Sequence, residues 1–196
     1  SETMLFKYYS TKASQNFGAD LRADLFRKIE SFSFAETDKF STGSLGHGLP
    51  VATGMAIAGR YAKSNHRVFC LVSDGDMNEG STWEAIMFAG QHHLENLVVI
   101  VDYNRIQALG FAKDICDLGD FANKVAMFGW ATKTVDGHDF MDLENTFKAL
   151  PLEPGKPTFI VCNTIKGKGV SFLENTVHSH YWHLTKEEKA AAYAEL

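Results

Sequence analysis

Residues 68–110 read VFCLVSDGDMNEGSTWEAIMFAGQHHLENLVVIVDYNRIQALG. The opening run, Val68 to Ser73, is apolar and rich in β-branched residues, and it stops at Asp74-Gly75-Asp76. A short run of that kind bounded by turn residues predicts a buried strand with the acidic cluster at its carboxyl end. Ser81 or Thr82 is the expected cap of a helix through Trp83, Ile86, Met87 and His93, with Glu84 in its first turn. A second apolar run, Leu97 to Val101, ends in Asp102-Tyr103-Asn104. Two strand ends therefore deliver carboxylate and amide oxygens to one rim, the edge at which open parallel sheets bind ligands.

Oxygen donors of this kind suit a hard cation, and Mg2+ held by one or two protein oxygens completes its shell with phosphate and water. The sequence thus predicts a metal-diphosphate site. Asp74-Gly75-Asp76-Met77-Asn78 also looks like the start of a helix-loop-helix Ca2+ loop, which needs Gly at its sixth position and Glu at its twelfth. Those places hold Glu79 and Ala85, so the Ca2+ loop fails on register. A phosphatase-like pairing of Asp74 and Asp76 as nucleophile and acid finds no support downstream.

The 196 residues, 45% hydrophobic, are enough for one well-buried domain. A net charge of −5 without basic clustering excludes an advertised nucleic-acid or anionic-membrane surface. No apolar run approaches the roughly 20 residues that span a bilayer, and no basic-apolar-small targeting segment opens the chain, so a soluble, cytoplasmic protein is expected. Of three cysteines, Cys70 and Cys162 fall inside expected strands, where a reduced, buried thiol is the natural state.

Working outward, residues 1–40 mix aromatic residues and charges at irregular spacing, with Asp20 to Ile29 as one candidate helix. This is taken as an N-terminal segment of uncertain structure, and 41–196 as the domain. Ser41-Thr42-Gly43-Ser44-Leu45-Gly46-His47-Gly48-Leu49-Pro50 is a Gly-rich turn feeding a helix that carries Ala52, Met55, Ala56 and Tyr61. Such a turn serves either close packing or the close approach of a ligand to backbone amides. Downstream, the pattern predicts a helix over Asp117 to Phe128, a strand over Ala131 to Val135, a turn at Asp136-Gly137-His138-Asp139, a helix over Met141 to Leu150 and a strand over Thr158 to Asn163. His138 reads as a turn residue. Lys166-Gly167-Lys168-Gly169 reads first as a solvated loop and second as a phosphate cradle. His178, His180 and His183 are spaced as Zn2+ ligands, yet no Cys or carboxylate stands close by in sequence to complete a tetrahedral set. Thr185 to Glu188 is a capping box opening a last helix. Strands alternating with helices argue for an α/β fold, a doubly wound, mostly parallel sheet with helices on both faces.

Asp74-Gly75, Glu79-Gly80, Trp83-Glu84-Ala85 and Asp102-Tyr103-Asn104, taken with Thr42-Gly43-Ser44-Leu45-Gly46 and Lys166-Gly167-Lys168-Gly169, resemble the thiamine-diphosphate signatures of transketolases. The family signature usually opens on Gly, where this chain has Ser73. The resemblance runs from about Ser41 to the end and implies the thiamine-diphosphate-binding fold of the diphosphate-type domain. It implies Mg2+, with Ca2+ or Mn2+ as substitutes, held by Asp74, Asn104 and the Ile106 carbonyl. It places Gly43 against the diphosphate, Leu45 near the ring system, and Gly75 among the cofactor contacts. Glu79 falls in the carboxylate contact between active sites, and His180 at the diphosphate and reacting centre, as the acid/base or polarising group.

The resemblance further implies a split enzyme. A separate C-terminal subunit would carry the pyrimidine-binding domain, in an α2β2 heterotetramer acting on sugar phosphates or related sugars. The Lys-Gly-His and Gly-His-Pro elements of the family are absent from the sequence. That absence motivates an alternative, a cofactor-binding assembly or regulatory subunit without activity. A 2-oxoacid dehydrogenase α chain is a third reading, from which the Thr-Gly-Ser-Leu-Gly and Lys-Gly-Lys-Gly segments point away.

Overall fold

Among the described residues the apolar runs form the strands of one sheet, with a more polar strand at its edge. The computed structural model describes residues 46–195; the candidate helix Asp20–Ile29, Gly43 and Leu45 lie outside the described residues. Strands β1 (Val68–Ser73), β2 (Leu97–Tyr103), β5 (Ala131–Asp136) and β6 (Thr158–Asn163) make a wholly parallel sheet in the order β1-β2-β6-β5. A two-stranded hairpin, β3 (Ile106–Gln107) and β4 (Gly110–Phe111), follows β2. The helices are α1 (Gly48–Tyr61), α2 (Gly80–Gln91), α3 (Ala112–Cys116), α4 (Phe121–Ala126), α5 (Phe140–Lys148) and α6 (Lys186–Glu195).

Alternation along the central strands splits the core into two layers. Val99 and Val101 of β2 and Phe159 and Val161 of β6 face Ala56 of α1, Ile86 of α2 and Val125 of α4. The intervening Val98, Ile100, Ile160 and Cys162 face Leu143 and Phe147 of α5. Helices thus cover both faces, as an all-parallel sheet requires. The chain winds one way from β1 to β2 and the other way from β5 to β6, so its direction reverses between β2 and β6. Open α/β sheets place their ligands at that reversal, beyond the carboxyl ends of the strands.

The expected limits of β1 and β6 hold to the residue, and Cys70 and Cys162 are buried free thiols. Other limits move for local reasons. The second strand runs on to Tyr103, because Asp102 and Tyr103 keep pairing with Cys162 and Asn163. The helix expected over 117–128 shrinks to Phe121–Ala126: Gly119 takes φ +59°, and Asp120 caps the Asn123 amide instead. Asp139, accepting from the Met141 and Asp142 amides, starts α5 at Phe140, and it ends at Lys148. Neither Ser81 nor Thr82 caps α2, which begins at Gly80 after Glu79. The Ser81 hydroxyl donates to the Gly46 carbonyl at 2.9 Å and the Thr82 hydroxyl to the Asp76 carbonyl at 2.7 Å, so tertiary contacts outbid the cap. The capping box before α6 is formed, with Thr185 and Glu188 bonded reciprocally.

One contact tests the packing of α2. A Cβ at Gly90 would lie 1.9 Å from the Phe128 carbonyl oxygen and 3.3 Å from the Trp130 ring. In an exposed helix, Gly to Ala would gain about 1 kcal/mol. Here overpacking, typically costing about 1–3 kcal/mol, must exceed it, because the obstacle is backbone. Gly90→Ala is therefore expected to lower the melting temperature by several degrees in differential scanning calorimetry.

Candidate active site

The strand ends meet at the rim beyond β1, β2 and β6. Asp74, the first residue after β1, is buried, and its carboxylate accepts the backbone N–H groups of Gly75 and Arg105. Among the described residues its Oδ2 has no hydrogen-bond partner. Burial first, and then the neighbouring charge of Asp102, push this carboxyl up to about 7 from the usual 3.8. Arg105 reaches Asp74 because it adopts the left-handed conformation, φ +66°, just after β2. Its guanidinium donates to Asn163 Oδ1 at 2.7 Å and lies 4.7 Å over the Tyr103 ring, which holds that turn in place.

Asn104 is buried and fixed in orientation. Its Oδ1 accepts the Ile106 N–H at 3.0 Å, and its side chain bonds Asp102, which also accepts from the Thr164 hydroxyl. Burial raises the Asp102 carboxyl as well. The structure therefore puts Asp74, Asn104 and the buried Ile106 on one rim. The donor set fits a divalent cation: an orphaned buried carboxylate oxygen, held next to a second acid, is a site that lacks positive charge. Among the described residues no group of three His, Cys, Asp or Glu side chains is arranged to hold a metal, and the three histidines from 178 to 183 are not brought together as zinc ligands.

The solvated reading of the Lys-Gly-Lys-Gly loop is half wrong. Lys168 is exposed and pairs with Glu174, but Lys166 is 1% exposed. A buried ammonium needs anionic partners. Its charge acts on both Asp74 and Asp102, and its Nζ stands 3.2 Å from His180 Nδ1, which must accept because an ammonium has no lone pair. His180, half-buried, is thus beside the rim, whereas His178 packs on Trp182 and His183 is exposed.

A second set of contacts joins this rim to the Gly-rich stretch. Asp76 Oδ2 accepts the Ser73 N–H at 2.9 Å and the Ser73 hydroxyl at 3.0 Å, while its Oδ1 accepts the Gly46 N–H at 3.1 Å. Gly46 has φ +68°, and a Cβ there would meet Glu79 Cβ at 2.4 Å. Ser73, where the family pattern has Gly, therefore contributes a hydroxyl to this latch. Glu79 itself is half-buried at the start of α2. Asp76 and Asp102 are on the rim where the sequence reading put acidic residues, Lys166 takes its second reading rather than its first, and Thr164 is the site residue that sequence reasoning misses. For Lys166 the available signal is its place just beyond the end of a third strand at the same rim.

A family model described as "Transketolase, thiamine diphosphate binding domain" matches residues 30–196. The chain belongs to the transketolase family. It is 40% identical over 156 residues to the 6-deoxy-6-sulfo-D-fructose transketolase subunit SqwG of Clostridium sp. (strain MSTE9), covering 80% of this chain and 57% of that one. It is 38% identical over 158 residues to one subunit of the apulose-4-phosphate transketolase of Actinobacillus succinogenes, covering 81% and 57%. This transketolase-family chain therefore spans just over half the length of those curated relatives. Its fold matches the transketolase structure from Campylobacter jejuni subsp. jejuni with a TM-score of 0.73 at 29% identity, covering 79% of this chain and 25% of that one.

The raised Asp74 carboxyl makes stability depend on pH in an unusual sense. Between 3.8 and about 7 the folded chain binds more protons than the unfolded one, so folding weakens as pH rises through that window. The ceiling is roughly 4 kcal/mol, because each tenfold change in proton affinity is worth about 1.36 kcal/mol. Without divalent metal, the melting temperature is expected to fall between pH 5 and 8. Asp74→Asn should flatten that slope.

Proposed function

We propose that this chain is the diphosphate- and Mg2+-binding subunit of a thiamine-diphosphate-dependent transketolase, transferring a two-carbon ketol unit from a ketose to an aldose. The observation that carries the reading is the unsatisfied Asp74 oxygen set beside a buried lysine at the sheet's reversal point. One position calls for a cation and the other for an anion, which is what a metal-diphosphate ligand presents.

In this reading Asp74, Asn104 and the Ile106 carbonyl hold Mg2+, and Lys166 faces the diphosphate. When bound, the cofactor's thiazolium supplies the carbon nucleophile of the reaction. Everything else falls to the chain. Arg105 and Gly75 amides hold the Asp74 carboxylate in place. The Asp76 latch holds the Gly46 amide against the metal loop. Lys166, donating to Nδ1, orients His180 so that its Nε2–H can donate a hydrogen bond to, and polarise, a sugar oxygen. Glu79, at the start of α2, serves the carboxylate contact between active sites.

The activating carboxylate for the cofactor's other ring comes, on this proposal, from a separate C-terminal subunit in an α2β2 assembly. Both relatives described above are named as subunits, which supports this. Sugar phosphates or related sugars are the substrates, and the cytoplasm is the proposed location. The alternative is a non-catalytic cofactor-binding subunit.

Steady-state ketol transfer decides between them. The reconstituted pair of subunits should turn over, and the purified chain alone should bind thiamine diphosphate weakly at most and show none. Turnover by the isolated chain, with a contaminating partner excluded by mass spectrometry, would contradict the split. Binding without turnover by the pair would favour the non-catalytic subunit. Within an active pair, His180→Ala should lower kcat on the order of 10²-fold with folding intact, and His178→Ala and His183→Ala much less.

A further inference from the structure

The buried Lys166 sits on a short loop, and the loop's geometry is fixed from outside it. Strand β6 ends at Asn163, and the Thr164 N–H is taken by the Tyr103 carbonyl at 3.2 Å. The next donor, the Ile165 N–H, has left the sheet. It donates to His138 Nε2 at 2.8 Å. His138 belongs to the turn after β5, and that turn is docked tightly: the Gly137 N–H donates to the Asn163 carbonyl at 2.8 Å. A Cβ at Gly137 would stand 2.4 Å from Thr164 Cγ2 and 3.0 Å from that same carbonyl oxygen. The His138 N–H is held in turn by Asp136 Oδ1 at 2.8 Å.

On the other side of Lys166 the loop is clamped as well. The Lys166 carbonyl accepts the Asn175 N–H at 2.9 Å, and Gly167, at φ +76°, leaves room for a Cβ only 2.4 Å from the Leu173 carbonyl oxygen. The imidazole is therefore the amino-side half of a two-sided clamp on the residue that carries the buried ammonium. An imidazole nitrogen accepts only while unprotonated. Burial and the nearby Lys168 favour that state, against the opposing charges of Asp136, Asp102 and Glu174.

We propose that His138 is a positioning residue, whose Nε2 fixes the Ile165 amide and thereby aims the Lys166 ammonium into the rim beside Asp74 and Asp102. The value of this aim for diphosphate binding rests on the function proposed above; the aim itself does not. Three full-length proteins separate the two: the parent chain, His138→Gln, whose amide oxygen reaches the place of Nε2, and His138→Leu, of similar bulk without an acceptor.

The first readout is reductive methylation of lysines followed by peptide mass spectrometry, with exposed Lys168 as the internal standard. Lys166 should be protected at least about tenfold relative to Lys168 in the parent and in His138→Gln, and that protection should collapse in His138→Leu, because a buried N–H stripped of its acceptor opens the loop. Protection unchanged in His138→Leu would overturn the proposal. The second readout is Mg2+-dependent thiamine diphosphate affinity of the assembled complex by calorimetry, expected to fall about tenfold in His138→Leu and to recover in His138→Gln. A parent complex that binds no cofactor but shows the labelling pattern would sink the function and leave the positioning standing. Should His138→Leu fail to fold, long-range 15N–1H correlation on the parent imidazole decides: Nε2 must be unprotonated at neutral pH, and a proton on Nε2 would overturn the proposal.

Discussion

One carboxylate oxygen without a partner organises the site. Folding carries Asp74 to the end of a strand buried on its core face, gives the carboxylate two backbone N–H groups, and leaves Oδ2 without a partner among the described residues, beside a second buried acid. Leaving a buried polar atom unmade costs on the order of 1–3 kcal/mol, and more when it is charged. Proteins keep such atoms where a ligand completes them. The left-handed turn at Arg105, the fixed amide of Asn104 and the buried ammonium of Lys166 can all be understood as means of holding that incomplete carboxylate ready for a cation and the anion it brings.

The sheet makes this arrangement possible. The loops after β1, β2 and β6 all leave the carboxyl ends of neighbouring parallel strands, the edge at which open α/β sheets bind ligands. β5 serves indirectly, through the turn that grips the start of the Lys166 loop. The Gly46 amide is tied in by Asp76, so the metal loop and the approach to α1 share one buried anchor.

Much of this is legible in the sequence. The apolar runs of β1 and β6 are bounded by Asp-Gly and by Pro and Gly, which leaves little choice about where they stop, and the strand ends place Asp74 and Asn104 on the rim, while Ile106 enters only through the resemblance to transketolases. What the sequence hides depends on long-range geometry. Lys166 looks like any lysine beside glycine until the fold encloses it, and His138 looks like a turn residue until β5 is placed next to β6. Ser81 and Thr82 have the chemistry of helix caps, yet their hydroxyls go to partners that only the tertiary structure supplies. The helix starts set by Asp120 and Asp139 differ from the periodic pattern because a single capping carboxylate outweighs the flanking apolar spacing.

The central claim is that Asp74 is an acid held close to neutral pH until a cation arrives, and its titration can be followed directly. In the chain carrying 13C-labelled aspartate, the Asp74 carboxyl carbon should titrate with a midpoint near 7 without divalent metal. Saturating Mg2+ and thiamine diphosphate should drive that midpoint below the ordinary aspartate range. A midpoint in the ordinary range that does not respond to Mg2+ and cofactor would contradict the account.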